Sequence, residues 1–309
     1  MADDLFAGAG GWDLAAAQLG IHARGVENMK EARATRDAAG LTTVHDDVWT
    51  FKPDGHAVGK IDSPPCQTFS SAGKGNGRKA FDDVLRGIRD NYYSDLDHLR
   101  FLGEEVGDER TSLVLTPLHF ATQYDYEWLA WEQVPTVLPV WEACAEVLRG
   151  QGWYVWTGIL NAEQYGVPQT RRRAFLLASR RGPVAPPRST HRWARTLSQT
   201  LEWPSDAVVN HIRGAGMTER HGPRPGRRGD QPSFTVTSKA RSWMVKIPGL
   251  APRPFSVEEA ALVQTFPRSF PWSGSRSRQF LQIGNAIPPG LALHALAAAT
   301  GVDVREVAA

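Results

Sequence analysis

The sequence predicts an α/β protein: a Rossmann-like sheet with helices on both faces, and a smaller, irregular second lobe. Three observations carry that expectation. The chain opens on a short strand, a glycine turn and a helix, through Asp4-Leu5-Phe6-Ala7-Gly8-Ala9-Gly10-Gly11-Trp12 and on to Leu19. Strand and helix signals then alternate to about residue 180, the pattern of a parallel sheet with crossover helices. From Gly182-Pro183 to Pro187 the composition turns to Pro and Arg, which marks a boundary. At 309 residues the chain can bury a full α/β core and leave a second lobe.

In chain order, the first turn has glycines that let the backbone approach a ligand closely. The helix behind it, from about Asp13 to Leu19, offers unpaired N–H groups. A second apolar segment, Ile21 to Val26, ends in Glu27. That carboxylate follows the turn by about twenty residues, the spacing at which an acid can hold a ribose diol. A third strand runs through Thr43 and Val44 to Asp46-Asp47-Val48. Acids at successive strand ends mark the ligand edge of an open α/β sheet. They are also the pattern of solvated loop acids, and the glycine run lacks the full G-x-G-x-x-G fingerprint.

Pro64-Pro65-Cys66-Gln67 follows, with Phe69 and Ser70 close behind. Two prolines fix φ and remove two backbone donors, so the thiol leaves a strand end at a set angle. A thiol so placed reads as a nucleophile; the competing reading is a buried small hydrophobe. The other cysteine, Cys144, lies in a helical pattern from Val140 to Leu148 and reads as structural. Two cysteines make no disulfide framework, and a reactive thiol fits a reducing compartment. The chain shows no signal peptide and no apolar run long enough for a membrane, and it begins in strand, so a cytoplasmic protein without a targeting segment is expected.

Formal net charge is only +2, but its distribution is uneven. Residues 171–230 hold thirteen arginines and no lysine against Glu202, Asp206, Glu219 and Asp230, a formal excess of nine. Such a stripe suits a phosphate backbone. Trp193, Trp203, His191, His211 and His221 are interleaved with it. No Cys/His cluster has ligand spacing, so no metal is expected. Ser256 to Gln264 reads as a helix with Ser256 as N-cap and Glu259 three residues on, a capping box. The Ala/Leu-rich stretch from Pro289 to Ala299 reads as a last helix packing back on the first domain.

Taken together, these motifs resemble those of the C5-cytosine-specific DNA methyltransferases, in that family's order and over almost the whole chain. DLFAGAGG looks like the first motif, Glu27-Asn28 the second and Asp47-Val48 the third. Pro64-Pro65-Cys66-Gln67 looks like the catalytic motif, and Trp131-Glu132-Gln133-Val134 stands where the family has Glu-Asn-Val. Gln169-Thr170-Arg171-Arg172-Arg173 is similar to Gln-x-Arg-x-Arg. Asp230 to Thr237 resembles the ninth motif, and Gln282-Ile283-Gly284-Asn285-Ala286-Ile287-Pro288-Pro289 the tenth. Gln133 in place of Asn is a departure that bears on loop geometry more than on chemistry.

The resemblance implies an S-adenosylmethionine-dependent methyltransferase sheet over residues 1–180, completed by 279–309, and a small target-recognition domain over 181–278. It implies a cofactor site of Phe6, Gly8, Ala9, Gly11, Glu27, Asn28, Asp47, Val48, Pro65, Asn285 and Ala286, with Glu27 on the ribose and Asp47 near the adenine. Gln67, Ser70 and Gln169 would touch substrate. Cytosine C5 is a poor nucleophile; a thiolate adding at C6 turns the ring into an enamine that can attack a methyl sulfonium. Cys66 would add, Glu132 would share a proton with N3, and Arg171 and Arg173, two apart on an extended segment, would fix O2 and hold the carboxylate. The stretch from Ser71 to about Arg89 would be a mobile loop closing over a base flipped out of duplex DNA. The expected form is a DNA-associated monomer, with a partner restriction endonuclease compatible but unspecified. The base-reading stretch, about Gly182 to Gly229, looks short, so a short target is expected. The same chemistry on RNA, and a non-catalytic binding module, are the rival readings.

Overall fold

The computed structural model describes residues 1–65, 75–211 and 226–304, with backbone alone for 75–79. The expectations placed on Cys66, Gln67 and Ser70, and three arginines of the basic stripe, Arg213, Arg220 and Arg224, lie outside the described residues. In chain order the first part comprises β1 (Ala2–Leu5), α1 (Gly11–Gln18), β2 (Ala23–Val26), α2 (Lys30–Ala38), β3 (Thr42–His45), β4 (Gly59–Asp62), α3 (Gly75–Arg89), α4 (Leu96–Val106), α5 (Thr116–Gln123), β5 (Trp128–Gln133), α6 (Leu138–Gly150), β6 (Tyr154–Asn161) and β7 (Arg172–Ser179). The second part comprises α7 (Leu197–Leu201), β8 (Val208–His211), β9 (Arg227–Arg228), β10 (Trp243–Lys246), β11 (Arg253–Pro254), α8 (Val257–Val263), α9 (Arg276–Asn285) and α10 (Pro289–Thr300).

One seven-stranded sheet runs β3-β2-β1-β4-β5-β7-β6. β3, β2, β1, β4 and β5 are parallel, as the alternating pattern predicts, but β7 is antiparallel to both its neighbours. The link from Asn161 to Arg172 is too short for a right-handed crossover, so the chain turns back instead. The strand order reverses between β1 and β4, which fixes where a ligand crevice can open.

Apolar clusters cover both faces. Val84, Leu99, Leu102, Leu118, Trp131, Trp141 and Cys144 pack on one side, and Trp12, Ala15, Ala16, Phe175, Leu291, Ala295 and Leu296 on the other. Cys144 is fully buried in α6, and burial pushes its thiol well above the usual range, which suits a structural role. α10 returns to pack on α1, β5 and β7. The expected loop from Ser71 to Arg89 is corrected from residue 75 onward, where α3 forms. Phe81, Val84, Leu85 and Ile88 recur at helical spacing and join the core, a signal the Gly/Lys/Arg composition masked.

The second part carries a four-stranded sheet, β11-β10-β8-β9, around Trp203, Val209, Trp243, Val245 and Phe255. Its capping box forms as read: Glu259 N–H donates to Ser256 Oγ at 3.0 Å and Ser256 N–H to Glu259 Oε2 at 2.8 Å.

Charges lie under the first sheet. Arg24 Nε meets Asp3 at 2.6 Å, and the Tyr126 hydroxyl donates to Asp3 at 2.8 Å. Lys60 meets Asp62 at 2.5 Å with both side chains fully buried; burial pushes the Asp62 carboxyl up to about 7 and lowers the Lys60 ammonium. Asp4 is fully buried, and neither carboxylate oxygen has a hydrogen-bond partner among the described residues. Burial, then Asp13, pushes its carboxyl well above the usual range.

A folded state that prefers the Asp4 proton gains stability below the ordinary carboxylate pKa. It loses that gain as pH rises toward the elevated folded value. Asp4→Asn removes the penalty, so the substitution should raise the melting midpoint more at pH 8 than at pH 5. A gain that shrinks with rising pH in thermal melts would contradict it.

Candidate cofactor and catalytic site

At the carboxyl ends of β1, β2, β4 and β5, beside the strand-order reversal, a cavity of about 420 Å³ opens, within the range of small-molecule sites. Its first wall is the turn from β1 into α1. Phe6 adopts φ 61° and Gly8 φ 55°. A left-handed Phe costs on the order of 1 kcal/mol or more, so its neighbours must hold it. Ala7 N–H donates to Val26 O at 3.2 Å. Gly8 N–H donates to Glu27 Oε2 at 2.7 Å, and Met29 N–H to Glu27 Oε1 at 2.7 Å. One carboxylate at the end of β2 thus sets the turn after β1, and it lines the cavity with acceptor capacity left. A Cβ on Gly11 would lie 2.3 Å from the Ile287 carbonyl oxygen, so only glycine lets α1 begin against that segment.

The second wall is the exit of β4. Ser63, Pro64 and Pro65 line the cavity. The Trp12 indole N–H donates to Ser63 Oγ at 2.9 Å, and the Gln133 amide donates to the Pro64 carbonyl. Gln133 Oε1 accepts from Val134 N–H. The extra methylene relative to Asn is therefore accommodated in a bond to the segment that leads into Cys66.

The third wall holds the charged groups. Glu132 Oε1 lies 2.8 Å from Arg173 Nε, with side chains 6% and 14% exposed. Arg171 is buried and donates to the carbonyls of Val236 at 3.0 Å, Gly284 at 3.2 Å and Ala286 at 3.0 Å. The two arginines share the cavity but divide the work: Arg173 holds the carboxylate, and Arg171 clamps the end of α9 to the segment between β9 and β10. A guanidinium on the last carbonyls of a helix also suits the helix dipole.

Phe6, Gly8, Gly11, Glu27, Asn28, Pro65, Glu132, Arg171, Arg173, Asn285 and Ala286 therefore line one cavity. Other expected residues lie off it. Ala9 is fully buried in the second part's core, and Val48 packs into the first. The Asp47 carboxylate closes its own turn, accepting from Trp49 N–H at 3.0 Å. Gln169 is corrected from a substrate contact to a tie between parts. It is fully buried; its amide donates to Val263 O at 3.0 Å and to Gln264 Oε1 at 2.5 Å, and its oxygen accepts from Val236 N–H at 3.0 Å. Trp12, Met29, Ser63, Arg110, Leu113, Gln282 and Ile287 line the cavity without having been expected at the site; Trp12, Gln282 and Ile287 stood inside quoted motifs. Ser63, directly before the prolines, was within reach of a motif argument; Arg110 and Leu113, which follow α4 in the chain, had no spacing signal.

The basic stripe divides in space. Arg180 stacks over Trp153 at 4.3 Å, its N–H bonds Glu127 O at 2.8 Å, and Arg181 pairs with Glu127. Glu127 precedes β5, so both arginines sit at the sheet edge opposite the cavity. Arg227 lies over Phe234 at 5.0 Å, and Arg228 lies 3.4 Å from Asp230. Arg188, Arg192 and Arg195 are exposed, with Trp193 77% exposed between them. His211 packs against Phe234 and Trp243. Among the described residues no group of three or more His, Cys, Asp or Glu could hold a metal, and no helix is long and apolar enough to cross a membrane.

Gln169→Ala should unpair Gln264 and Val236 N–H inside the protein and lower stability by about 2–4 kcal/mol. Chemical denaturation measures it; an unchanged midpoint would return Gln169 to the list of substrate contacts.

The C-5 cytosine-specific DNA methylase family model matches residues 1–86, 105–213 and 210–299. The type II methyltransferase M.HgiDI of Herpetosiphon aurantiacus is 27% identical over 315 residues, covering 94% of this chain and 90% of that protein. M.AplI of Arthrospira platensis is 28% identical over 313 residues, covering 94% and 82%. In fold, the chain is similar to S. pombe Dnmt2 methyltransferase, with a TM-score of 0.68 at 16% identity, covering 97% of this chain and 98% of that one. It is also similar to a structure titled as a DNA modification methyltransferase encoded within an E. coli prophage, with a TM-score of 0.68 at 18% identity, covering 97% and 98%. With the family model matched over nearly its full length, the chain belongs to the C5-cytosine-specific DNA methylases.

Proposed function

We propose that this DNA (cytosine-5-)-methyltransferase is a type II modification enzyme acting on a short duplex target, with Cys66 as nucleophile and S-adenosylmethionine as methyl donor. The observation that carries the reading is that the Glu132–Arg173 pair and the Phe6–Gly8–Glu27 wall share one cavity with Ser63-Pro64-Pro65, the residues leading into Cys66. The cavity suits an adenosyl cofactor: a glycine turn that admits a close approach, an aromatic at its lip, and a carboxylate able to accept from a ribose diol. When bound, S-adenosylmethionine supplies an electrophilic methyl on sulfur.

The chain's own residues supply the rest. The Cys66 thiolate forms a bond to C6 while a proton held between Glu132 and N3 of the base moves to N3. C5 then carries the electron pair that takes the methyl group. Loss of the C5 proton and departure of sulfur restore the ring. Arg173 keeps Glu132 aimed and charge-balanced in a nearly dry site. C5 and C6 of a stacked base cannot reach this cavity, so the cytosine must leave the helix. The division of labour we favour gives residues 1–180 with 279–309 the chemistry and residues 181–278 the DNA, with Arg188, Arg192 and Arg195 on phosphates. A monomer without a metal, beside a restriction endonuclease, completes the proposal.

A duplex with 5-fluorocytosine at the target should trap a denaturation-resistant adduct, because fluorine cannot leave C5 as a proton does. Cys66→Ala should abolish adduct and turnover, and Cys144→Ala neither; an adduct that survives Cys66→Ala would refute the nucleophile.

Glu27→Ala should weaken cofactor binding by roughly tenfold to a hundredfold or more, the scale of a charge-assisted pair of about 1.5–3 kcal/mol. Calorimetry showing unchanged affinity would remove Glu27 from the cofactor site.

A further inference from the structure

The segment Ser63-Pro64-Pro65 is poor in anchors. Neither proline has a backbone N–H, so the β4 ladder ends with Ser63 N–H donating to Leu5 O at 3.3 Å. Beyond that bond the backbone offers only acceptors, and donors must come from side chains. The Trp12 indole supplies one, to Ser63 Oγ at 2.9 Å. Indole nitrogen only donates, so the direction of this bond is fixed. The ring is 2% exposed and stands edge-on to Phe175, with centroids 6.3 Å apart at 80°. Packing therefore aims the N–H before any ligand arrives.

We infer that Trp12 is a positioning residue for the nucleophile, acting through Ser63 to fix the angle at which Pro64-Pro65 delivers Cys66. Trp12 lines the same cavity as Glu27, yet its polar atom is spent on the strand end, not left for a ligand. Its loss should therefore slow thiol addition while leaving cofactor affinity in place. The inference rests on the function proposed above.

Exchange at C5 reads the addition step without methyl transfer. When the thiolate bonds to C6, C5 takes a proton from water. Removal of the original C5 hydrogen and departure of sulfur then return cytosine, so tritium at C5 is released to solvent. Trp12→Phe keeps an aromatic ring against Phe175 but removes the donor and part of the indole's volume, and Ser63→Ala removes the acceptor. Each should slow tritium release from a 5-tritiated duplex by about two- to twelvefold, the scale of one neutral hydrogen bond. The double variant should be no slower than either single, because both remove one interaction. Ser63→Thr, which keeps the hydroxyl, should restore the rate. Affinity for S-adenosylhomocysteine should stay near wild type; Trp12→Phe, which leaves a void in the core, should lower the melting midpoint, whereas Ser63→Ala should leave it near wild type.

Wild-type exchange rates in Trp12→Phe, single effects that multiply in the double, or a loss confined to affinity or melting would each overturn the inference. A wild-type protein that methylates while both variants match it overturns the inference alone. A wild-type protein that neither exchanges nor methylates duplex cytosine removes the proposed function, and the inference with it.

Discussion

The site depends on a buried knot of side-chain donors bound to backbone carbonyls. Its lining comes from residues 6–29, 63–65, 132–134, 171–173 and 281–287, with Arg110 and Leu113, stretches that no single element joins. Arg171 draws Val236, Gly284 and Ala286 to one guanidinium, and Gln264 bonds the carbonyls of Ile283 at 2.6 Å and Ala286 at 2.9 Å. Gln169 ties Gln264 to Val236. Helix C-termini leave carbonyls without intrahelical partners, and at the end of α9 side chains serve those of Ile283, Gly284 and Ala286. The donors that satisfy α9 are the same ones that hold it beside the wall of Glu132 and Arg173. Asn285 and Ala286 reach the cavity as a consequence.

A second constraint lies under the sheet. Apolar residues would be the ordinary filling for β1 and β4, yet Asp3, Asp4, Lys60 and Asp62 occupy four of their eight positions. Buried ion pairs contribute little net stability, since desolvation offsets attraction, but removing one partner leaves a charge stranded. The pairs therefore specify more than they stabilise. Lys60 and Asp62, two apart on β4, point to one face of the strand and pair with each other there. Asp4, with neither oxygen satisfied, is the exception, and it sits on the strand whose exit forces Phe6 into the left-handed region.

Much of this was legible because it is local. The strand–glycine turn–helix at residue 2, the acid closing β2 and the capping box at Ser256 each follow from neighbours a few residues apart. The candidate cofactor wall was legible for the same reason: Gly8 and Glu27 follow the ends of the adjacent parallel strands β1 and β2, 19 residues apart. What could not be read is what depends on crossing distance. The resemblance put Gln169 at the substrate; its three bonds reach residues 236, 263 and 264, which no local pattern connects. α3 was hidden differently: its apolar spacing was present, but the composition of its first turn dominated the reading. Trp12 was missed because its partner Ser63 lies 51 residues away.

Charge shows the same limit. Along the sequence, residues 171–230 form one basic stripe, and a count of arginines treats them alike. Folding separates them by what each guanidinium finds. Arg171 and Arg173 are spent on carbonyls and a carboxylate inside the cavity. β7 then carries the chain to the opposite edge, where Arg180 and Arg181 meet Trp153 and Glu127. Arg227 lies on an aromatic face and Arg228 near an acid. Arg188, Arg192 and Arg195 stay exposed beside Trp193. A guanidinium already desolvated and paired adds little to the field outside the protein, because its partner cancels it at short range. The potential available to a phosphate backbone is thus smaller and more localised than the linear excess suggests. Even among these exposed cations one is shared with an aromatic face, since Arg192 lies over the Trp193 ring at 5.4 Å.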